Sequence, residues 1–267
     1  MRFKALAIDL DGTLLTGDDI PADNIRAVRA ARDRGLAIVI ATARWSQFAL
    51  RIEDALGIRG PIIACSGAQV REPESGRDLF DHRLPVAFTR DLYAICNEER
   101  CIATVTVSGR TLVKMEGEPD PALFAAEMQP VRELVEIDDD LPRIAAIQGS
   151  RCNARIRAEL EARYADAVNI YDSIGPSGKL VLTITAKAAS KGAALQAACA
   201  HLGIDSHDVV AFGDAENDLA MFRLAGASVA MGQADAVTRE AATFVSLPNH
   251  EAGVAHAIDR LLSKGTL

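Results

Sequence analysis

The chain reads as an α/β protein: a doubly wound parallel sheet with an α+β domain inserted into it. Three observations carry that reading. Four short apolar runs are continuous rather than alternating, helix-like stretches separate them, and the middle of the chain changes to a hairpin pattern.

The apolar runs are ALAI (5–8), LAIVIA (36–41), PIIAC (61–65) and VVAF (209–212). Unbroken runs of this length mark strands buried on both faces, as in a parallel sheet covered by helices. The stretches between them carry helix punctuation. Residues 21–34 open at Pro21 and stop at Gly35, 46–56 run from Ser46 to Gly57, and 190–202 run from Ser190 to Gly203. Strands alternating with helices give the doubly wound class.

The middle departs from this pattern. QVREPESGRDLFDHR (69–83) reads as a hairpin turning at Glu74-Ser75-Gly76, and a helix-like stretch follows Pro85. CIATVTVSGRTLVKM (101–115) alternates β-branched residues around Ser108-Gly109, a second hairpin. EGEPDP (116–121) and IDDDLP (137–142) are loops, with the acidic run Asp138–Asp140 solvated, and KLVLTIT (179–185) is a strand. Residues 84–184 are therefore expected to form the inserted domain, and 1–83 with 185–267 the core. Two chain crossings would make a hinge between them.

Composition narrows the function. The 267 residues are 49% hydrophobic and 25% charged, and 29 Lys and Arg against 37 Asp and Glu give a net charge of -8. An acidic surface repels nucleic acid and anionic membranes, but not a small phosphorylated ligand met by local cations or a metal. Cys65, Cys96, Cys101, Cys152 and Cys199 are odd in number and show no C-x-x-C spacing. Five small buried hydrophobes in a reducing cytoplasm are expected, rather than disulfides or a zinc site. No run is long enough for a membrane span, and the N-terminal run is too short for a signal peptide.

Sites in open α/β sheets lie at the carboxyl ends of the strands. Asp9 and Asp11 follow the first apolar run, Thr42, Ala43 and Arg44 the second, Ser66 and Gly67 the third, and Gly213, Asp214, Glu216, Asn217 and Asp218 the fourth. An Asp-Gly turn explains Asp11 and Gly12 but not Asp9, which interrupts a buried run. A carboxylate there is costly unless paired or metal-bound. Helix capping explains one or two acids of GDAENDLAM (213–221), not all of them. Hard oxygen donors from distant stretches suit magnesium. Lys191, fixed at a helix start by Ser190 and Gly192, supplies a cation for a phosphate ester, with Lys187 as its rival.

DLDGT (9–13), ATAR (41–44), SKGAAL (190–195), FGDAENDLAM (212–221), AGASVAMGQA (225–234) and PNHEAGVAHAI (248–258) occur in this order. Together they resemble the haloacid dehalogenase superfamily of phosphohydrolases, and most of all its Cof-like members, whose large cap is inserted between the second and third motifs. The resemblance covers the core and is weak in the cap. It implies that Asp9 attacks phosphorus to form an aspartyl-phosphate and that Asp11 moves the proton. It implies that Mg2+ is bound by the Asp9 carboxylate, the Asp11 carbonyl and Asp214, with Asp218 in support. Thr42, Lys191 and Asn217 would hold the phosphoryl oxygens, and Gly12, Ala43, Arg44, Ser66 and Asn249 would form the rim.

Three positions depart from the family pattern: Ala43 for Gly, Ser66 for Asn, and Gln233 for the Asn of MGNA. The five histidines share no metal-ligand spacing, and Trp45 is expected to pack beneath the phosphate loop. In the cap, Arg110, Lys114 and Arg143 either face substrate or face water.

The expected substrate is a small phosphorylated metabolite. A sugar phosphate comes first, because an aromatic content of 4% disfavours stacking on flat rings. Phosphorylated cofactors of the flavin mononucleotide or pyridoxal phosphate type are the competitors. A phosphomutase is disfavoured because its cap falls between the first two motifs, where positions 14–41 hold one helix and one strand. A phospho-aspartate receiver lacks an inserted cap, and a binding module that lost turnover would not keep Asp9, Asp11, Lys191 and Asp214. A monomer or homodimer is expected.

Overall fold

The computed structural model describes residues 2–115, 117, 127–135, 140–174 and 179–267. In chain order the first segment gives β1 (Ala5–Asp9), α1 (Ala22–Asp33), β2 (Ala37–Ala41), α2 (Ser46–Leu56), β3 (Ile62–Ala64), β4 (Gln69–Arg71) and β5 (Asp78–Asp81). The middle gives α3 (Val86–Glu98), β6 (Ile102–Val107), β7 (Arg110–Lys114), β8 (Met128–Val131), β9 (Ile144–Gln148), α4 (Ser150–Ile156), β10 (Val168–Ile174) and β11 (Leu180–Ala186). The last segment gives α5 (Lys191–Leu202), β12 (Val209–Gly213), α6 (Leu219–Leu224), β13 (Ala227–Ala230), α7 (Ala236–Ala241), β14 (Phe244–Val245) and α8 (Gly253–Lys264). Two compact units result: Met1–Phe80 with Ser190–Leu267, and Asp81–Ala189.

The first unit is built on a sheet that, among the described residues, has the order β14-β13-β12-β1-β2-β3-β4-β5. The strands from β14 to β3 run parallel, and β4 returns antiparallel beside β3. All five residues of β1 are buried, as its continuous apolar run requires. Registers Ile8↔Phe212 and Asp9↔Ala41 bring the carboxyl ends of β1, β2 and β12 to one edge. The helices begin and end where their punctuation predicts. Ser190 caps α5 by accepting the Ala193 N–H at 3.1 Å, and α2 stops at Gly57.

On α2 the side chain of Glu53 is fully buried. One carboxyl oxygen accepts the Gly60 N–H at 3.0 Å, and the other has no partner among the described residues. Burial raises this carboxyl from 4.5 to about 8, against the pull of Gly60 and Arg59. The folded state therefore holds a proton that the unfolded chain releases, and stability falls as pH rises from about 4.5 through about 8. Glu53→Gln is expected to remove that slope. Chemical denaturation should find it near the parent at pH 5 and more stable by up to a few kcal/mol at pH 8.5.

The second unit has its own sheet, of order β10-β11-β9-β6-β7-β8 among the described residues. Its core joins Phe88, Leu92 and Ile95 of α3 with Val105, Ala145, Ile147, Leu182 and Ile184 from the strands. The β6–β7 hairpin turns at Ser108-Gly109, and Thr106 pairs with Thr111 across it at 3.2 Å. Of the loops read at 116–121 and 137–142, only Gly117 and residues 140–142 are described.

Of the acidic run expected to be solvated, Asp138 and Asp139 lie outside the described residues, and Asp140 is paired rather than free in solvent. Its carboxylate accepts the Ser108 N–H at 2.8 Å and pairs with Arg83 and Arg110 at 3.4 Å. The basic residues considered for substrate are likewise committed internally. Arg143 is buried against Asp81 at 2.7 Å, and Lys114 is buried and donates to the Glu99 carbonyl at 3.2 Å. Hydrophobic patterning marks a position as inward-facing but does not show which charges a fold buries in pairs.

Candidate active site

The site lies in the first unit, where β1, β12 and the start of α5 meet. Asp9 closes β1 and is 4% exposed, and Lys191 opens α5 and is 1% exposed. The Lys191 ammonium donates to Asp9 Oδ1 at 2.6 Å and to Asp218 Oδ1 at 2.7 Å. Burial pushes this lysine towards neutrality, but Asp218 and Asp9 outweigh it and raise its pKa above the usual lysine value. Lys187, its rival, lies outside this unit.

Asp218 does two jobs. Its Oδ2 accepts the N–H groups of Asp214 and Ala215 at 3.0 and 3.2 Å, which caps the turn into α6. Its Oδ1 takes Lys191. Capping and charge placement, read from the sequence as alternatives, are both present in one side chain.

Asp214 follows β12 and accepts from the Thr13 hydroxyl at 3.1 Å. Burial, then Asp218, pushes its carboxyl up to about 6. Asp9 also stands well above the usual carboxylate range, through burial first and then Asp218 and Asp214, against Lys191. Oxygens of Asp9, Asp214 and Asp218 lie within 4.8 Å of one another. Three carboxylates against one ammonium leave uncompensated negative charge in a buried place. Hard oxygen donors with that excess fit a divalent cation.

Asp11 is placed differently. Its carboxylate turns to Arg44, whose Nε lies 3.0 Å from both oxygens, and Arg44 also holds Asp18 at 2.8 Å. Asp11 is exposed and does not join the cluster of Asp9, Asp214 and Asp218. Arg44 stacks 4.0 Å over the Phe48 ring, and Trp45 packs edge-on against the same ring.

Immediately after Asp11 the chain turns through Gly12, at φ +81°. A Cβ on Gly12 would stand 2.3 Å from Asp214 Oδ2. Gly12→Ala is thus expected to displace Asp214. Phosphate release should fall about 100-fold while the far-ultraviolet circular dichroism stays that of the parent.

Thr42 is fully buried, and its hydroxyl oxygen accepts the Arg44 N–H at 3.0 Å, leaving its own proton to donate. Its carbonyl accepts Ser66 N–H at 3.0 Å, and Arg44 carbonyl accepts Cys65 N–H at 2.9 Å, so the loops after β2 and β3 are stitched together. Cys65, Ser66 and Gly67 are all left-handed, at φ 53°, 55° and 88°. Gly67 packs so tightly on α5 that a Cβ would stand 2.2 Å from the Ser190 carbonyl carbon. Such strain concentrates at functional sites. The buried Ser66 hydroxyl has no partner among the described residues. Ala43 is exposed and is not left-handed, so its backbone does not require glycine.

The family model for haloacid dehalogenase-like hydrolases matches residues 6–258. The chain belongs to that family. The Cof-like resemblance of the motifs is borne out. Among this family's members, the 5-amino-6-(5-phospho-D-ribitylamino)uracil phosphatase YwtE of Bacillus subtilis is 30% identical over 97% of this chain and 98% of its own. A second phosphatase of the same description from that organism, YcsE, is 30% identical over 96% and 94%. A haloacid dehalogenase-like hydrolase of Bacteroides thetaiotaomicron, 24% identical, shares the fold with a TM-score of 0.83 over 97% of this chain and 99% of that one. The chain is a phosphoric monoester hydrolase of the haloacid dehalogenase-like family, with the α/β fold expected of it. None of its described helices is long and apolar enough to cross a membrane.

In this haloacid dehalogenase-like site, Asp9, Asp214, Asp218 and Lys191 converge. Asp11 and Arg44 form a pair beside them in the sequence pattern but apart in charge. Asn217, between Glu216 and Asp218 in a single 3-10 turn, is half-buried. Asn249 serves the loop after β1: its side chain donates to the Leu15 carbonyl at 2.8 Å. Gln233 bridges that loop, donating to Gly12 carbonyl at 2.6 Å and accepting Asn249 N–H at 3.0 Å. Thr13 and Asp18 were not singled out from the sequence. Thr13 stands inside DLDGT and so was within reach, whereas nothing in the sequence links Asp18 to Arg44.

Proposed function

We propose that the chain is a magnesium-dependent phosphatase of small phosphorylated metabolites, working through an aspartyl-phosphate on Asp9. The observation that carries the reading is the cluster of Asp9, Asp214 and Asp218, two of which, Asp9 and Asp218, are buried against the Lys191 ammonium. Lys191 engages Oδ1 of Asp9, and the other carboxylate oxygen attacks phosphorus as the P–O bond to the leaving alcohol breaks. Asp11 rotates from Arg44 to give the leaving oxygen a proton, then takes one from the water that cleaves the acyl phosphate. Lys191, the Thr42 hydroxyl and Asn217 hold the transferring oxygens, and the unpartnered Ser66 hydroxyl adds a donor at the rim.

Asp9, Asp214 and Asp218 would hold the cation, with the Asp11 carbonyl. When bound, Mg2+ supplies positive charge against the phosphoryl oxygens and the carboxylates. The inserted domain, 84–184, serves as the cap that selects substrate.

A sugar or polyol phosphate is the preferred substrate. The substrate for which YwtE is named carries its phosphate on a ribityl chain, which supports this reading. The same name carries a uracil ring, which favours a ring-bearing phosphate as the second reading. The test is phosphate release over a panel of sugar phosphates, polyol phosphates, flavin mononucleotide and pyridoxal phosphate, with Mg2+ and with chelator. Release that requires the metal and ranks polyol or sugar phosphates first is expected. Equal release in chelator would overturn the metal, and a flat-ring substrate at the head of the ranking would overturn the substrate class.

A further inference from the structure

Three of the five cysteines converge in the second unit. Cys96 lies near the end of α3, Cys101 immediately precedes β6, and Cys152 lies in α4. Their sulfur atoms lie within 4.8 Å of one another, and no disulfide joins them. They are 0%, 5% and 1% exposed. Gly149, just before α4, packs close: a Cβ there would stand 3.1 Å from Cys101 Cβ.

A single buried cysteine is ordinarily a small hydrophobe. Two features exceed that role. Three separate elements deliver three sulfurs to one point. A buried ammonium, that of Lys114, also acts on the Cys101 thiol. Hydrogen bonds from Cys152 and Cys96, and then this lysine, favour the Cys101 thiolate. The positive charge of Lys114, whose ammonium donates to the Glu99 carbonyl at 3.2 Å, favours at Cys101 the thiolate form that binds a metal.

The geometry points to a three-sulfur binding site for a soft monovalent cation, Cu(I), formed by Cys96, Cys101 and Cys152. Thiolates select soft ions. Metal–sulfur bonds of about 2.3 Å set three sulfurs in a plane about 4.0 Å apart, so the cluster closes by less than about 1 Å. Structural zinc takes four ligands. Among the described residues no His, Asp or Glu joins the three sulfurs, and the carboxylate of Glu99 is held by Arg151 at 3.0 Å and Arg155 at 3.4 Å. On binding, the remaining S–H protons leave to solvent, three metal–sulfur bonds form, and copper stays Cu(I). Lys114 offsets part of the resulting negative charge.

The test uses the full chain, reduced and without oxygen, titrated with Cu(I) against the chelator bicinchoninate. One Cu(I) per chain is expected to be withheld, and its X-ray absorption should give three sulfur neighbours at about 2.3 Å. Cys101→Ser and Cys152→Ala should each retain it at least about tenfold more weakly, and Cys199→Ser should match the parent. No retention by the parent overturns the proposal, as does undiminished retention in both cluster variants. Tighter retention of Zn2+ in a four-ligand shell also overturns it. Should a variant fail to fold, the parent's sulfur count decides: three sustains the site, and two or fewer overturns it.

Discussion

Asp9→Asn is expected to lower phosphate release by about four orders of magnitude or more while the protein stays folded. The amide matches the carboxylate in shape, and its oxygen can still accept from Lys191, which lies 2.6 Å from Asp9 Oδ1 in the parent. It is a poor nucleophile, so no acyl phosphate forms. Stability should hold or rise, because burial already keeps the Asp9 carboxyl well above the ordinary range and the neutral amide escapes that penalty. Thermal unfolding and phosphate release on the same preparation check both halves. A folded variant retaining a hundredth of the parent activity would remove Asp9 from the role of nucleophile.

Lys191→Met should cost stability as well as activity. Methionine fills much the same volume but leaves Asp9, Asp214 and Asp218 together without the ammonium that now touches two of them. Removing one partner of a buried ion pair costs about 3–5 kcal/mol, an unfolding midpoint lower by roughly 10 °C in chelator. A divalent cation should recover part of that loss, because it meets the same carboxylates. An unchanged midpoint in chelator would mean that those acids are neutral in the resting protein. A fallen midpoint that ignores Mg2+ would count against the metal site.

Much of this fold was legible because local rules and global packing agree. The runs at 5–8 and 209–212 pair residue for residue in β1 and β12. Ser190 with Gly203 bounds α5 as capping chemistry dictates, and Gly57 closes α2, which starts at Ser46 without a side-chain cap. The gathering of Asp9, Lys191, Asp214 and Asp218 was also readable, since each follows a buried strand or opens a helix. What escaped was pairing across distance. Nothing in the spacing shows that Arg44 grips Asp11 and Asp18, that Arg143 is buried on Asp81, or that three cysteines share one point. Periodicity reports which way a residue faces; its partner depends on the twist and register of distant strands. The departure at Gln233 became intelligible only with the structure, as a side chain linking Gly12 carbonyl to Asn249 N–H.

The interrupted first unit also bears on how the chain comes to its native state. β1 is laid between β2, which follows it at once, and β12, which is made only after the whole of Asp81–Ala189. During synthesis the second unit is contiguous and can close on itself first. Until Val209–Gly213 emerges, β1 remains an apolar edge strand with unpaired backbone groups, a template for association with other chains. The late, long-range pairing of β1 with β12 thus sets both the slow step of folding and the interval in which the nascent chain most needs a chaperone.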